Sequence, residues 1–116
     1  MIVAMQGSKN FNDYAIFLRA MGTVLSQLDE EDKEFLIFSA GPVNINALGM
    51  EFSNVSERSL KARGIKIRFT KVPPSWIENN MSIINHFLYF SKPKETLSPL
   101  VDLAEAKDVE VGIYRY

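Results

Sequence analysis

Ile2-Val3-Ala4-Met5, followed by Gln6-Gly7-Ser8-Lys9-Asn10-Phe11-Asn12-Asp13, decides the fold of this chain. Four consecutive apolar residues are too few for a helix and suit a strand buried on both faces. The next stretch is small and polar, with one glycine, and reads as a turn. Beyond it Tyr14, Phe17, Leu18, Met21, Leu25 and Leu28 recur at helical spacing. They predict an amphipathic helix over 13–28, capped by Asn12 and with Asp13 in its first turn. Strand, glycine turn and helix together aim backbone N–H groups and a helix N-terminus at one point, where an anion is stabilised.

The remaining elements follow the same alternation. Residues 29–34 form an acidic loop, and Phe35-Leu36-Ile37-Phe38 is a second continuous apolar strand. Ser39-Ala40-Gly41-Pro42 turns into a helix from Asn44 to Arg63, with Ile45, Leu48, Phe52, Val55 and Leu60 inward. Gly64 ends it by supplying a positive φ. In the third strand Ile65, Ile67 and Phe69 alternate with Lys66, Arg68 and Thr70, so one face is wet. A helix over 75–85 carries Trp76, Ile77, Met81 and Ile84; Trp76 reads as a plug under its loop in preference to a rim aromatic that stacks on a base. Phe87-Leu88-Tyr89-Phe90 is a third apolar strand, leaving through Ser91-Lys92-Pro93-Lys94-Glu95. Ser98 caps and Pro99 opens a last helix, with Leu100, Leu103 and Ala104 inward. The fifth strand, Val109 to Ile113, alternates again.

Helices between strands require parallel crossovers. The first, second and fourth strands are apolar throughout and belong in the middle. The third and fifth alternate and belong at the edges. The expected architecture is therefore α/β: one domain over 1–116 with a five-stranded parallel sheet in the order 3-2-1-4-5. The order 2-1-3-4-5 would bury the charged third strand in the middle.

At 116 residues the chain can bury a full core, and its 47% apolar and 23% charged residues are ordinary for a globular protein. The net charge of −1 gives no global attraction for nucleic acid or membrane. With no cysteine there is no disulfide, thiolate nucleophile or cysteine metal site. No apolar run reaches the roughly 18 residues of a membrane span. The expected setting is cytoplasmic, without membrane association.

Ligands of open parallel sheets bind at the strands' carboxyl ends, where the strand order reverses. That point lies between the first and fourth strands. It brings together Gln6, Gly7, Ser8 and Lys9 with Ser91, Lys92 and Lys94, flanked by Ser39, Ala40, Gly41 and Asn44. These are the candidate ligand-binding residues. Lys71 stands further out. Lys9, Lys71, Lys92 and Lys94 make this rim basic, whereas residues 29–34 and Asp108 make the other end acidic. A basic rim beside helix N-termini suits a phosphate.

No catalytic or metal-ligating set is found. His86, the single histidine, precedes the fourth strand at the far end, so it can form neither a triad nor a metal cluster here. Ser8 and Ser39 therefore lack a histidine base and read as caps or phosphate contacts. The basic segment Arg58 to Lys71 lacks interleaved exposed aromatics, which argues against nucleic acid. Tyr114-Arg115-Tyr116 offers an aromatic patch for self-association or a protein partner.

Gly7-Ser8-Lys9 with the aromatic-acid-helix continuation, and Ser39-Ala40-Gly41 before a long helix, resemble the small Rossmann-like proteins grouped with DprA and the lysine-decarboxylase-like (LOG) nucleotide-processing proteins. The resemblance implies a Rossmann-like fold and nucleotide binding. The Pro-Gly-Gly type loop of those proteins is replaced here by Ser91-Lys92-Pro93-Lys94-Glu95, and their acid–arginine pair is not recognisable. Hydrolysis is accordingly not carried over. The expected function is binding of a nucleotide or nucleotide-derived phosphate ligand without turnover, with no cofactor specified. The alternatives are an interaction or regulatory module, oligomeric or bound to a partner, that lost its ligand, and a degenerate nucleotide phosphoribohydrolase using Glu78.

Overall fold

The alternation of strand and helix is realised throughout the computed structural model, which describes residues 1–116. In chain order the elements are β1 (Ile2–Gly7), α1 (Tyr14–Leu25), β2 (Glu34–Ser39), α2 (Val43–Ala62), β3 (Lys66–Lys71), α3 (Pro74–Asn80), a 3-10 turn (Met81–Ile83), β4 (His86–Ser91), α4 (Pro99–Ala106) and β5 (Glu110–Arg115). All strands are parallel, in the order β3-β2-β1-β4-β5. This is the expected Rossmann-like architecture, with the two alternating strands outermost. No helix is long and apolar enough to cross a membrane.

The two faces of the sheet carry separate cores. Val3, Met5, Phe35, Ile37, Leu88 and Phe90 pack beneath α1 and α2. Ala4, Phe87 and Tyr89 pack beneath α3 and α4. β4 is buried along its whole length, as its unbroken apolar run requires. β2 is not: Phe35 and Ile37 are buried, but Leu36 and Phe38 on its other face are half-buried. The cause is the shortness of α3, which covers only part of that face. Trp76 lies flat on Phe38, ring centres 4.2 Å apart, and acts as the plug expected of it.

Several local expectations are corrected. Asp13, not Asn12, caps α1: its Oδ1 accepts the Ile16 N–H at 3.1 Å. α1 stops at Leu25, although Leu28 is still buried in the turn that follows. The buried stripe of α1 is Phe17, Ala20, Met21 and Val24, and Leu18, one residue off that stripe, is 42% exposed. On α2 the stripe advances by fours, from Leu48 to Phe52 to Ser56 to Leu60. Val55 is therefore on the outer side, 68% exposed. The helix expected over 75–85 is split into α3 and the 3-10 turn. Gly64 adopts φ +77° after α2, as its role required.

Gly22 does not serve close packing on the sheet. It is exposed, and a Cβ there would touch nothing. Gly22→Ala should therefore stabilise the protein by up to about 1 kcal/mol through helix propensity alone, seen as a higher urea midpoint with unchanged slope.

Candidate functional site

The parallel register brings the carboxyl ends of all five strands to one rim. There the turns after β1, β2 and β4 are joined by backbone hydrogen bonds. Gly7 N–H donates to Gly41 C=O at 3.1 Å, and Ser8 N–H donates to Phe90 C=O at 2.7 Å. Gly41 N–H donates to Ser39 Oγ at 3.2 Å. The opening turn and the lysine-proline turn are thus neighbours, as the strand order demanded. The N–H groups of Gly7, Ser8 and Gly41 are therefore spent on the protein's own acceptors.

The space between these turns is filled. Phe11, fully buried although it lies in a loop, stacks on Phe90 at 4.7 Å and meets Tyr116 edge-on at 4.8 Å. A Cβ on Gly7 would lie 2.9 Å from Phe90 O and 3.0 Å from Ile45 Cδ1. Gly7 is therefore needed for close packing within the protein itself. Tyr114 stacks on Phe90 at 5.7 Å, so both terminal tyrosines turn inward. The aromatic terminus is part of the core edge rather than a free patch. The four surface recesses of the molecule all lie elsewhere, along the C-terminal half of α2 and the start of β3, or beside α1 and β5.

The candidate residues divide accordingly. Ser8, Ser39 and Ser91 are buried. Ser39 Oγ is 2.6 Å from Asn46 Oδ1, and Ser91 Oγ donates to Lys92 C=O at 2.9 Å. The β4 turn is self-contained: Lys92 N–H donates to Glu95 Oε2, and Arg115 donates to Lys92 C=O at 3.0 Å. Gln6 and Ala40 are half-buried, and Gln6 Oε1 has no hydrogen-bond partner. Lys9, Lys92 and Lys94 are exposed. Burial pushes the Tyr89 hydroxyl pKa up, and nearby Glu95 adds to the effect.

Two helix ends on this rim lack a side-chain cap, that of the seven-residue α3 behind Pro73 and that of the longer α2. α1 is capped by Asp13 and α4 by Ser98, but the N-cap of α2 is Pro42, which has no side-chain acceptor to offer. Asn46 N–H bonds to Pro42 C=O at 3.0 Å. The amides of Val43, Asn44 and Ile45 precede that bond, and none has an acceptor. No acid stands in this first turn. Asn44 Nδ2 reaches Lys9 C=O at 3.4 Å, which ties the β1 turn to it. Lys71 ends β3 opposite Ser39 and shares a face with Ile67 and Phe69, the face that α2 covers. Lys9 and Lys71 thus flank the open end of a 20-residue helix.

Neither the Met1 N–Asp32 ion pair nor the His86–Glu110 contact uses a lysine or arginine. His86 is buried at the far end of β4, its Nδ1 3.2 Å from Glu110 Oε2. Burial lowers its pKa, and Glu110 opposes that shift. It is remote from the rim, as its place before the apolar run implied.

Phe11, Arg115 and the uncapped amides of α2 were not read from sequence as parts of this site. Pro42 was the available signal, because a proline in the cap position leaves the following amides unserved. No protein-family model, curated protein or solved structure matches this chain.

Proposed function

We propose that the protein is a non-catalytic binding module for a phosphate-bearing ligand of the nucleotide class, held at the N-terminus of α2. The observation that carries this reading is the uncapped first turn of that helix. A helix of this length carries about half a positive charge at its N-terminus, and its unpaired N–H groups point along the axis. Lys9 and Lys71 add two unpaired cations. The ligand then lies outside β2 rather than in the crevice between β1 and β4. The resemblance to DprA and LOG proteins agrees with the ligand class and carries no weight for hydrolysis.

The filled crevice favours a second reading, an interaction or regulatory module that lost its ligand. Thermal unfolding with adenosine 5′-monophosphate, adenosine and pyrophosphate separates the two. At ten times its dissociation constant a ligand stabilises by about 1.4 kcal/mol, a shift of a few degrees. The phosphate-bearing compounds should produce it and adenosine should not. Asn44→Asp places an acid in the first turn of α2, which gains from the helix dipole but loses the Asn44 Nδ2 bond to Lys9 C=O, so the basal Tm should change little and the phosphate shift should be abolished. Equal shifts in the wild type and N44D, or none with any compound, would remove the α2 site and leave the second reading.

A further inference from the structure

Residues 58–71 contain Arg58, Lys61, Arg63, Lys66, Arg68 and Lys71 and no acid, in a chain whose net charge is −1. All six are exposed, and none is in an ion pair. The fold lays Lys66, Arg68 and Lys71 along one border of the sheet, because β3 is an edge strand with only β2 beside it, and places Arg58, Lys61 and Arg63 at the end of α2 that leads into that strand. Lys66 N–H donates to Lys33 C=O and Val72 N–H donates to Ser39 C=O, both at 2.9 Å. By the alternation of a parallel ladder, Arg68 and Thr70 also face β2. Ile67, Phe69 and Lys71 therefore turn their N–H and C=O groups outward.

At the start of the same edge lies an open recess of about 380 Å³. Ile65 and Ile67 supply its apolar lining, with Lys61, Lys66 and Glu57 around them. Unpaired strand groups and an apolar recess occur together on one edge, where the cations outnumber the nearby acids, Glu57 in the recess and Glu34 opposite Lys66.

We propose that the β3 edge takes an extended acidic peptide segment as a sixth strand, with an apolar side chain of that segment seated on Ile65 and Ile67. Main-chain pairing supplies affinity in such an arrangement, and side-chain recesses supply selection. The lysines and arginines that discourage indiscriminate edge pairing become the element that selects an acidic partner. A second copy of β3 would set cation against cation. The opposite edge, β5, carries Glu110 and Arg115 and offers no net negative charge. Nucleic acid is disfavoured because the one aromatic of this strand, Phe69, lies under α2, where a Cβ on Gly49 would be 2.5 Å from its ring. The recess at Ile65 and Ile67 is at the opposite end of β3 from the helix end proposed for phosphate, and Lys71 alone belongs to both the edge strand and that helix end.

The probe is a fluorescein-labelled peptide of alternating glutamate and valine or isoleucine, followed by anisotropy on the intact protein. Binding should weaken about tenfold or more when alternate peptide nitrogens are methylated, which removes main-chain pairing and leaves charge. It should weaken as much with the double variant K66E/R68E, whose two side chains are exposed and whose folding is checked by circular dichroism. The methylated peptide is tested on the wild type, so the outcome does not depend on that variant folding. Absence of binding at millimolar protein overturns the proposal. So do equal affinities for methylated and unmethylated peptide, tighter binding of a thymidine oligonucleotide, or a sedimenting dimer that K66E/R68E dissociates.

Discussion

Phe11→Ala is expected to destabilise the protein by about 3–5 kcal/mol, the range for removing a fully buried phenylalanine ring. Domains of this kind have about 5–15 kcal/mol in total, so the melting temperature should fall by well over 10 °C. Such a loss is unusual for a loop residue, since most loop side chains are exposed and cost little when truncated. Phe11 differs because its ring closes the end of the sheet. It stacks on Phe90, which itself stacks on Phe17 and Tyr114, and it carries Tyr116 on its edge. Removing it leaves a void that rigid sheet residues cannot collapse into. Chemical denaturation at several urea concentrations checks the value; a loss below about 1 kcal/mol would mean that the crevice is not closed by this ring.

Gly7→Ala is the second large effect, and its sign distinguishes two reasons for having a glycine there. If the glycine existed only to let a ligand approach, alanine would spare stability and impair binding. The structure predicts the reverse. The added methyl would lie 2.9 Å from Phe90 O, the acceptor of the Ser8 N–H bond. A backbone oxygen held in the sheet yields less easily than the tip of a side chain, and Ile45 Cδ1 blocks the other side at 3.0 Å. Overpacking of this kind costs about 1–3 kcal/mol, and loosening the Ser8 bond adds to it. The same change at Gly22, where nothing stands within reach of a Cβ, is the natural control. G7A should be clearly destabilised and G22A should not; phosphate-dependent stabilisation should survive in the folded fraction of both.

Strand order was legible because it follows from a burial rule. Val3 to Met5, Phe35 to Phe38 and Phe87 to Phe90 are continuous and demand neighbours on both sides. Ile65 to Phe69 and Val109 to Ile113 alternate and tolerate an edge. That rule also put the β1 and β4 turns together, and the Ser8–Phe90 bond joins them. Whether the crevice between them was open was not legible. Phe11 stands among small polar residues, where an aromatic reads equally as a rim or a plug; only the stack with Phe90 and Tyr116 decides. The tyrosines at the C-terminus posed the same ambiguity. Helix faces failed by one position at Leu18 and Val55, because the buried stripes run through Phe17, Ala20, Met21 and Val24 on α1 and through Leu48, Phe52 and Leu60 on α2, and apolar character alone did not show that these two residues lie beside them. The half-open face of β2 was hidden because it depends on the length of α3, and the sequence alone did not locate the break at Asn80, whose side chain donates to Trp76 C=O at 2.7 Å.

The exposed cations show how one residue type serves different ends by position. Lys9 and Lys71 border the open turn of α2, whereas Lys66 and Arg68 stud an unpaired strand edge. Composition alone treats them alike, and the near-neutral net charge conceals both groups. Salt should weaken ligand capture at either place, because exposed charges are screened beyond about 8–10 Å at physiological ionic strength.

The most direct test is a titration of amide chemical shifts with adenosine 5′-monophosphate. The largest changes are expected at Val43, Asn44 and Ile45, smaller ones around Lys9 and Lys71, and little change at Ser8, whose N–H is bonded to Phe90 C=O. Large shifts at Gly7 and Ser8 with a silent α2 terminus would contradict this, because the crevice between β1 and β4 would then be the binding place and could not be closed.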